Sequence, residues 1–117
     1  MRVVDDQIGT PTRALHLAEA LWHLADRPSV AGLLHFTDAG VASWFDVAVT
    51  VLETLRNAGR KATGADVTTA RTEEFPRPAR RPLYSVLDKH ASWQAIGYTP
   101  PHWRLGVIAS TQELVNG

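Results

Sequence analysis

Arg2-Val3-Val4-Asp5-Asp6-Gln7-Ile8-Gly9-Thr10-Pro11-Thr12-Arg13-Ala14-Leu15 lies near the start of the chain, and its order of residue types decides the fold class. Val3 and Val4 are β-branched and suit a pleated, buried surface, so Met1 to Asp5 reads as a short strand. Gly9 and Pro11 punctuate a turn across Gln7 to Thr12. Thr10 precedes Pro11 as an N-cap precedes a proline at the first helical position, where the missing N–H costs nothing. Beyond it, Ala14, Leu15, Ala18, Leu21, Trp22 and Ala25 fall on one stripe at the 3.6-residue period. His16, Glu19 and His23 fall opposite. Strand, turn and helix in this order predict an α/β chain.

Working outward, Gly32 to Thr37 reads as a buried strand. Ser43-Trp44-Phe45-Asp46 is a capping-box variant that starts a second helix, with Trp44, Ala48, Val51, Leu52 and Leu55 on one face. Gly59 ends that run, and Ala65 to Ala70 suits a short strand. From Arg71 to Pro82 the chain is extended, because Pro76, Pro78 and Pro82 each push the preceding residue out of helical geometry. Asp88 caps a short helix to about Ile96, and a last helix runs from Pro101 to about Asn116, packing Trp103, Val107 and Leu114. The expected order is β-α-β-α-β-loop-α-α: about four helices with two or three short strands. So few strands leave exposed edges, so the chain reads as an α+β-like piece of a larger sheet.

The composition narrows the classes of function. With 12 basic and 12 acidic residues in 117, no global field draws the chain to nucleic acid or membrane. Cysteine is absent, which removes disulfides, thiolate nucleophiles and thiolate metal sites. No apolar run approaches the roughly 20 residues that span a bilayer. The first residues lack the apolar core of a signal peptide, so a cytoplasmic location is expected.

Several kinds of chemistry find no residues here. The scattered glycines make no G-x-G-x-x-G, P-loop or G-x-S-x-G, so no cofactor-binding residue is assigned. Tyr84 and Lys89 miss the four-residue spacing of a reductase Tyr-x-x-x-Lys pair by one position. His16 and His23 stand two helical turns apart without a third ligand, so no metal is expected. The pairs Asp5-Asp6 and Glu73-Glu74 need not converge, and no catalytic residue is assigned.

Two places suit binding. Gln7, Thr10 and Thr12 offer an amide, two hydroxyls and a helix N-terminus, which favour polar or anionic ligands; an ordinary helix start is the plainer alternative. Arg81, held by Pro82, is preorganised for bidentate phosphate contact, with Tyr84 and Ser85 beside it. The bland alternative is a solvated basic loop balanced by Glu73 and Glu74. Trp44 suits either a sugar or base site or the core, and Trp22, Trp93 and Trp103 read as packing residues.

Val4 to Thr12, Leu17-Ala18, Gly32 to Thr37, Ser43-Trp44-Phe45 and Arg81 to Asp88 together resemble the C-terminal part of the dTDP-4-dehydrorhamnose reductases. These belong to the extended, Rossmann-type short-chain dehydrogenase/reductase family. The resemblance runs in order over essentially the whole chain, and the D-Q-x-G-x-P-T and R-P-x-x-S-x-L-D strings are its specific part. It implies that a full-length relative reduces the 4-keto group of dTDP-6-deoxy-L-lyxo-4-hexulose with NADPH, toward dTDP-L-rhamnose. It also implies that an N-terminal Rossmann half holds the cofactor and the catalytic Ser/Thr, Tyr and Lys. Residues 1–117 are then expected to form one sugar-nucleotide-binding domain that is not competent alone and needs that half, or a partner chain, from outside.

By position the resemblance gives Arg81 to the diphosphate with Ser85 nearby. Gln7, Thr10 and Thr12 go to the substrate side of the cleft, and Trp44 to its support. His16 departs from the pattern, standing where relatives often carry Asp. The rival expectations are a non-catalytic nucleotide-sugar-binding or protein-docking module derived from this family, and a remnant without function. The substrate reading requires Gln7 and Arg81 to share one concavity.

Overall fold

The N-terminal valines pair as their side chains suit. In the computed structural model, which describes residues 1–60 and 66–117, Arg2–Val4 forms β1. The strand Ile8–Gly9 is β2, Ala42–Ser43 is β3, and Thr68–Ala70 is β4. β1 runs parallel to β4, with Val3 against Thr69 and Val4 against Ala70. The strand expected over Ala65 to Ala70 is thus shorter, and Ala65 lies outside the described residues.

The expected turn over Gln7 to Thr12 is strand in its first part. β2 is antiparallel to β3, with Ile8 opposite Ser43. On its other edge, the Ile8 N–H donates to the Leu83 carbonyl and its carbonyl accepts from the Ser85 N–H, both at 2.8 Å. Three distant segments therefore meet at one residue.

The first helix, α1, spans Ala14–Ala25 and begins after Pro11 rather than at it. Thr10 does not cap it, because the Thr10 hydroxyl donates to the Gly40 carbonyl at 3.1 Å. Arg13 takes the N-cap position without a capping side chain, and its N–H donates across the fold to Asp38 Oδ2 at 3.2 Å. The stripe of apolar residues is real but faces outward: Ala14, Leu15, Ala18, Leu21, Trp22 and Ala25 are all exposed. Trp22, expected to pack, is 76% exposed. The inward contacts are made by Ala20, which is buried, and by half-buried polar residues, while Glu19 and His23 stay exposed. His16 bonds Asp38, His23 lies 5.2 Å from the Tyr98 ring, and Arg27 donates to the Ala95 carbonyl.

Gly32 to Thr37, expected as a buried strand, joins neither sheet, and Leu33 is exposed. Side chains of the helix α3, His90–Ile96, satisfy its carbonyls. The Ser92 hydroxyl donates to His35, and the Trp93 indole donates to Thr37 at 3.2 Å. Asp88, expected to cap α3, stands one residue before the N-cap position held by Lys89, and its carboxylate accepts from the His90 N–H at 3.0 Å. The helix ends at Gly97, whose φ of 85° is left-handed.

The helix α2, Trp44–Asn57, starts with the capping box read from the sequence: Ser43 accepts from the Asp46 N–H, and Asp46 accepts from the Ser43 N–H. It packs on α4, Trp103–Asn116. Thr50, Thr54 and Thr111 are buried on these helices, and each hydroxyl donates to the carbonyl one turn earlier. Trp103 is buried as expected, whereas Leu114 is exposed, since α4 turns Trp103, Gly106 and Thr111 inward.

The result is a slab of 52 × 37 × 20 Å. Its radius of gyration of 16.6 Å exceeds the about 13 Å of a compact domain this long. The core side chains among the described residues are few: Ala20, Ala42, Ala70, Ile96 and Trp103. No helix of the described residues is long and apolar enough to cross a membrane.

Ser43→Ala should lower the unfolding free energy by about 1 kcal/mol in urea titration. Because the box is reciprocal, Asp46→Ala should cost less in that background than alone. Strictly additive losses would show that the two halves of the box act independently.

Candidate functional site

Pairing at Ile8 decides which side chains meet. Gln7 precedes it, Trp44 follows its partner Ser43, and Arg81 enters the strand-like stretch at Leu83 to Ser85. These three side chains form the common wall of two adjoining cavities. The larger, about 720 Å³, is lined also by Arg2, Phe75, Arg77 and Arg80. The smaller, about 360 Å³, adds hydroxyl-bearing Thr10, Thr37, Ser43 and Ser85.

Gln7 and Arg81 thus share a concavity, the condition set by the sequence. Five of the six expected residues line the smaller cavity: Gln7, Thr10, Trp44, Arg81 and Ser85. Thr12 lines neither and lies behind the turn, its hydroxyl donating to the Thr10 carbonyl at 3.2 Å. Trp44, at the first position of α2, is 57% exposed, so its indole is available to the cavities. Ser85 Oγ donates to the Ile8 carbonyl at 3.2 Å. A Cβ at Gly9 would stand 3.0 Å from it, so any larger residue there would have to push Ser85 Oγ aside.

The segment from Arg71 to Pro82 walls the larger cavity, and two carboxylates tie it down. Thr72 donates its hydroxyl to Asp6 at 2.7 Å and its N–H to the same carboxylate at 3.0 Å. The Gln7 amide donates to Thr72 Oγ1 at 3.0 Å, so the tie fixes a site residue. Glu74 accepts from the Arg71 N–H at 2.6 Å and pairs with Arg2. The hydrogen bonds from Thr72 hold Asp6 below its ordinary carboxylate range. The Arg71 N–H, then Arg2, do the same for Glu74. Glu74 therefore pairs with Arg2 and not with Arg77, Arg80 or Arg81, against the alternative of a basic loop that it balances. Among the described residues Arg77, Arg80 and Arg81 make no ion pair.

Behind the smaller cavity lies a polar cluster that sequence reasoning missed. Asp38 is fully buried, with His16 Nδ1 at 2.9 Å from its Oδ2. Lys89 Nζ lies 3.5 Å from Thr10 Oγ1 and 3.4 Å from the Gly40 carbonyl. Burial lowers the Lys89 pKa, and the Asp38 charge opposes that shift. Nothing local in the sequence around Asp38-Ala39-Gly40 signals a buried carboxylate. Among the described residues no group of three or more His, Cys, Asp or Glu is gathered as metal ligands would be.

The arrangement suits an elongated ligand with anionic and hydroxyl-bearing parts, bound across the Gln7–Trp44–Arg81 wall. The RmlD substrate binding domain family matches residues 1–116. The chain belongs to that family. The dTDP-4-dehydrorhamnose reductase of Shigella flexneri is 36% identical over 118 residues, covering 97% of this chain and 40% of the relative. The crystal structure of the dTDP-4-dehydrorhamnose reductase from Clostridium acetobutylicum matches with a TM-score of 0.81 and 34% identity, over 100% of this chain and 39% of that one. That of Bacillus anthracis, determined in complex with NADP, matches with a TM-score of 0.79 and 31% identity, over 97% and 38%. This RmlD substrate-binding domain spans about 40% of the length of the curated relatives it matches. Its mixed α/β architecture is that of the reductase structures.

Both carboxylates are held low, so their ties are complete above the ordinary range, about pH 4, and are lost as pH falls through the lower folded values. Amides of residues 71–75 should therefore exchange faster below about pH 4 than the α2–α4 amides do, after correction for intrinsic rates. Carboxyl titration by NMR should place Asp6 below about 3.9. A midpoint at or above that value would contradict the Thr72 tie.

Proposed function

We propose that the chain is the substrate-binding portion of an NADPH-dependent dTDP-4-dehydrorhamnose reductase, and that it binds the dTDP-sugar while the remainder of the enzyme supplies cofactor and catalytic groups. The observation that carries this is the shared wall of Gln7, Trp44 and Arg81 between a basic cavity and a hydroxyl-lined one. In this reading Arg81 forks onto the diphosphate, and Pro82 limits the conformational freedom lost on binding. Ser85 and Thr10, whose hydroxyl hydrogens are engaged by the Ile8 and Gly40 carbonyls, accept from sugar hydroxyls, and the second N–H of the Gln7 amide donates to a phosphate or sugar oxygen. Trp44 offers a flat apolar face to a ring.

The remainder of the reductase docks on the outward face of α1. Leu15, Leu21 and Trp22 there are 49%, 57% and 76% exposed, and β1–β4 is a two-stranded parallel sheet, a type normally covered on both faces. NADPH enters with that partner.

Titration calorimetry should detect dTDP binding that is weak for the chain alone and tightens when the cofactor-binding half of a related reductase is added. Arg81→Lys keeps the charge but loses the fork, and should weaken binding about tenfold, the loss of one charge-assisted hydrogen bond. An assembled pair of halves that ignores dTDP would defeat the reading. Trp22→Glu should abolish association of the halves in size-exclusion chromatography while leaving the far-ultraviolet circular dichroism unchanged. Undiminished association would move the docking face elsewhere.

A further inference from the structure

The buried carboxylate of Asp38 has no role in the site as proposed; it packs against Gly106 of α4, and its hydrogen-bond partners follow directly on Thr10 and Pro11, which line the smaller cavity. Its Oδ2 accepts from the Arg13 N–H at 3.2 Å, and both oxygens lie within 3.0 Å of His16 Nδ1. Its own N–H donates to Thr12 Oγ1 at 3.4 Å. Two residues on, the Gly40 carbonyl accepts from the Thr10 hydroxyl, and the residue before it, Thr37, lines the smaller cavity. Residues 38–40 therefore grip residues 10–13 at several points from behind, while Thr10 and Pro11 face the cavity.

Burying a carboxylate fully is costly unless it is paired and hydrogen-bonded, and ordinary helix starts are satisfied by a local Ser, Thr, Asp or Asn. Here the acceptor comes from a separate segment, and its geometry is fixed by a second donor, His16, from within α1. The grip ties the orientation of α1 to the position of the cavity wall.

We propose that Asp38, together with His16, is a positioning residue for the nucleotide-sugar site, holding the Thr10–Arg13 segment in its binding geometry without touching the ligand. The proposal rests on the smaller cavity being part of that site.

The test compares wild type with Asp38→Ala and Asp38→Asn, using dTDP as the probe and amide hydrogen exchange as a ligand-free readout. In Asp38→Ala, exchange at Arg13 should accelerate at least about tenfold, while amides of α2 and α4 keep their protection. dTDP affinity of the chain with its complementing half should fall about tenfold, the effect of one charge-assisted hydrogen bond. Asp38→Asn, which keeps one acceptor oxygen, should recover part of both. Acceleration spread over the whole molecule would reduce Asp38 to a stability residue and overturn the proposal. So would faster exchange at Arg13 with unchanged affinity. If wild type binds no dTDP at all, the nucleotide reading falls, and the exchange arm still decides whether Asp38 holds the segment.

Discussion

Occupation of both edges of Ile8 is the constraint on which the site depends. One edge pairs with Ser43, and the other exchanges two hydrogen bonds with Leu83 and Ser85. Side chains alternate along such a ladder, so a slip of one residue on either edge would turn a whole set of side chains to the opposite face. In the observed register, Gln7, Trp44 and Arg81 share a wall although they are far apart in sequence. The two-residue strands are short, and little else makes them specific. Gly9 matters for this reason, since its missing side chain lets Ser85 close against the backbone.

Local signals were the legible part of the sequence. The capping box at Ser43–Asp46 and the valine strand each depend on neighbours within a few residues, and each is where it was expected; Asp88 reaches the His90 N–H, though Lys89 holds the N-cap position. What depended on distant partners was misread. The period of α1 was right, but which stripe faces inward depends on Asp38 and Tyr98, both far along the chain. Gly32 to Thr37 has the composition of a strand without a strand to pair with, so its carbonyls turn to Ser92 and Trp93. Thr10 had two uses for its hydroxyl, and Gly40 rather than the helix claimed it.

The site divides in the same way. Arg81, Ser85, Gln7 and Thr10 belong to short strings whose chemistry is readable in isolation, and they converge on one cavity. Phe75, Arg77, Thr37 and Asp38 join the site or its support only through the fold, and no local pattern marks them. Threonines rather than leucines fill the buried positions of α2; their hydroxyls donate within the helix, and that of Thr50 also accepts from Arg104 of α4 at 3.0 Å. That leaves the slab with a thin apolar interior and much of its greasy surface on the outside.

The uncovered Trp22 and its neighbours on α1 have a cellular consequence. To a chaperone or protease, an unaccompanied copy displays the surface that marks an unfolded chain, even though its backbone is ordered. On the docking proposed for α1, a bound partner would hide that signal, and uncovered copies would be the ones that quality control clears.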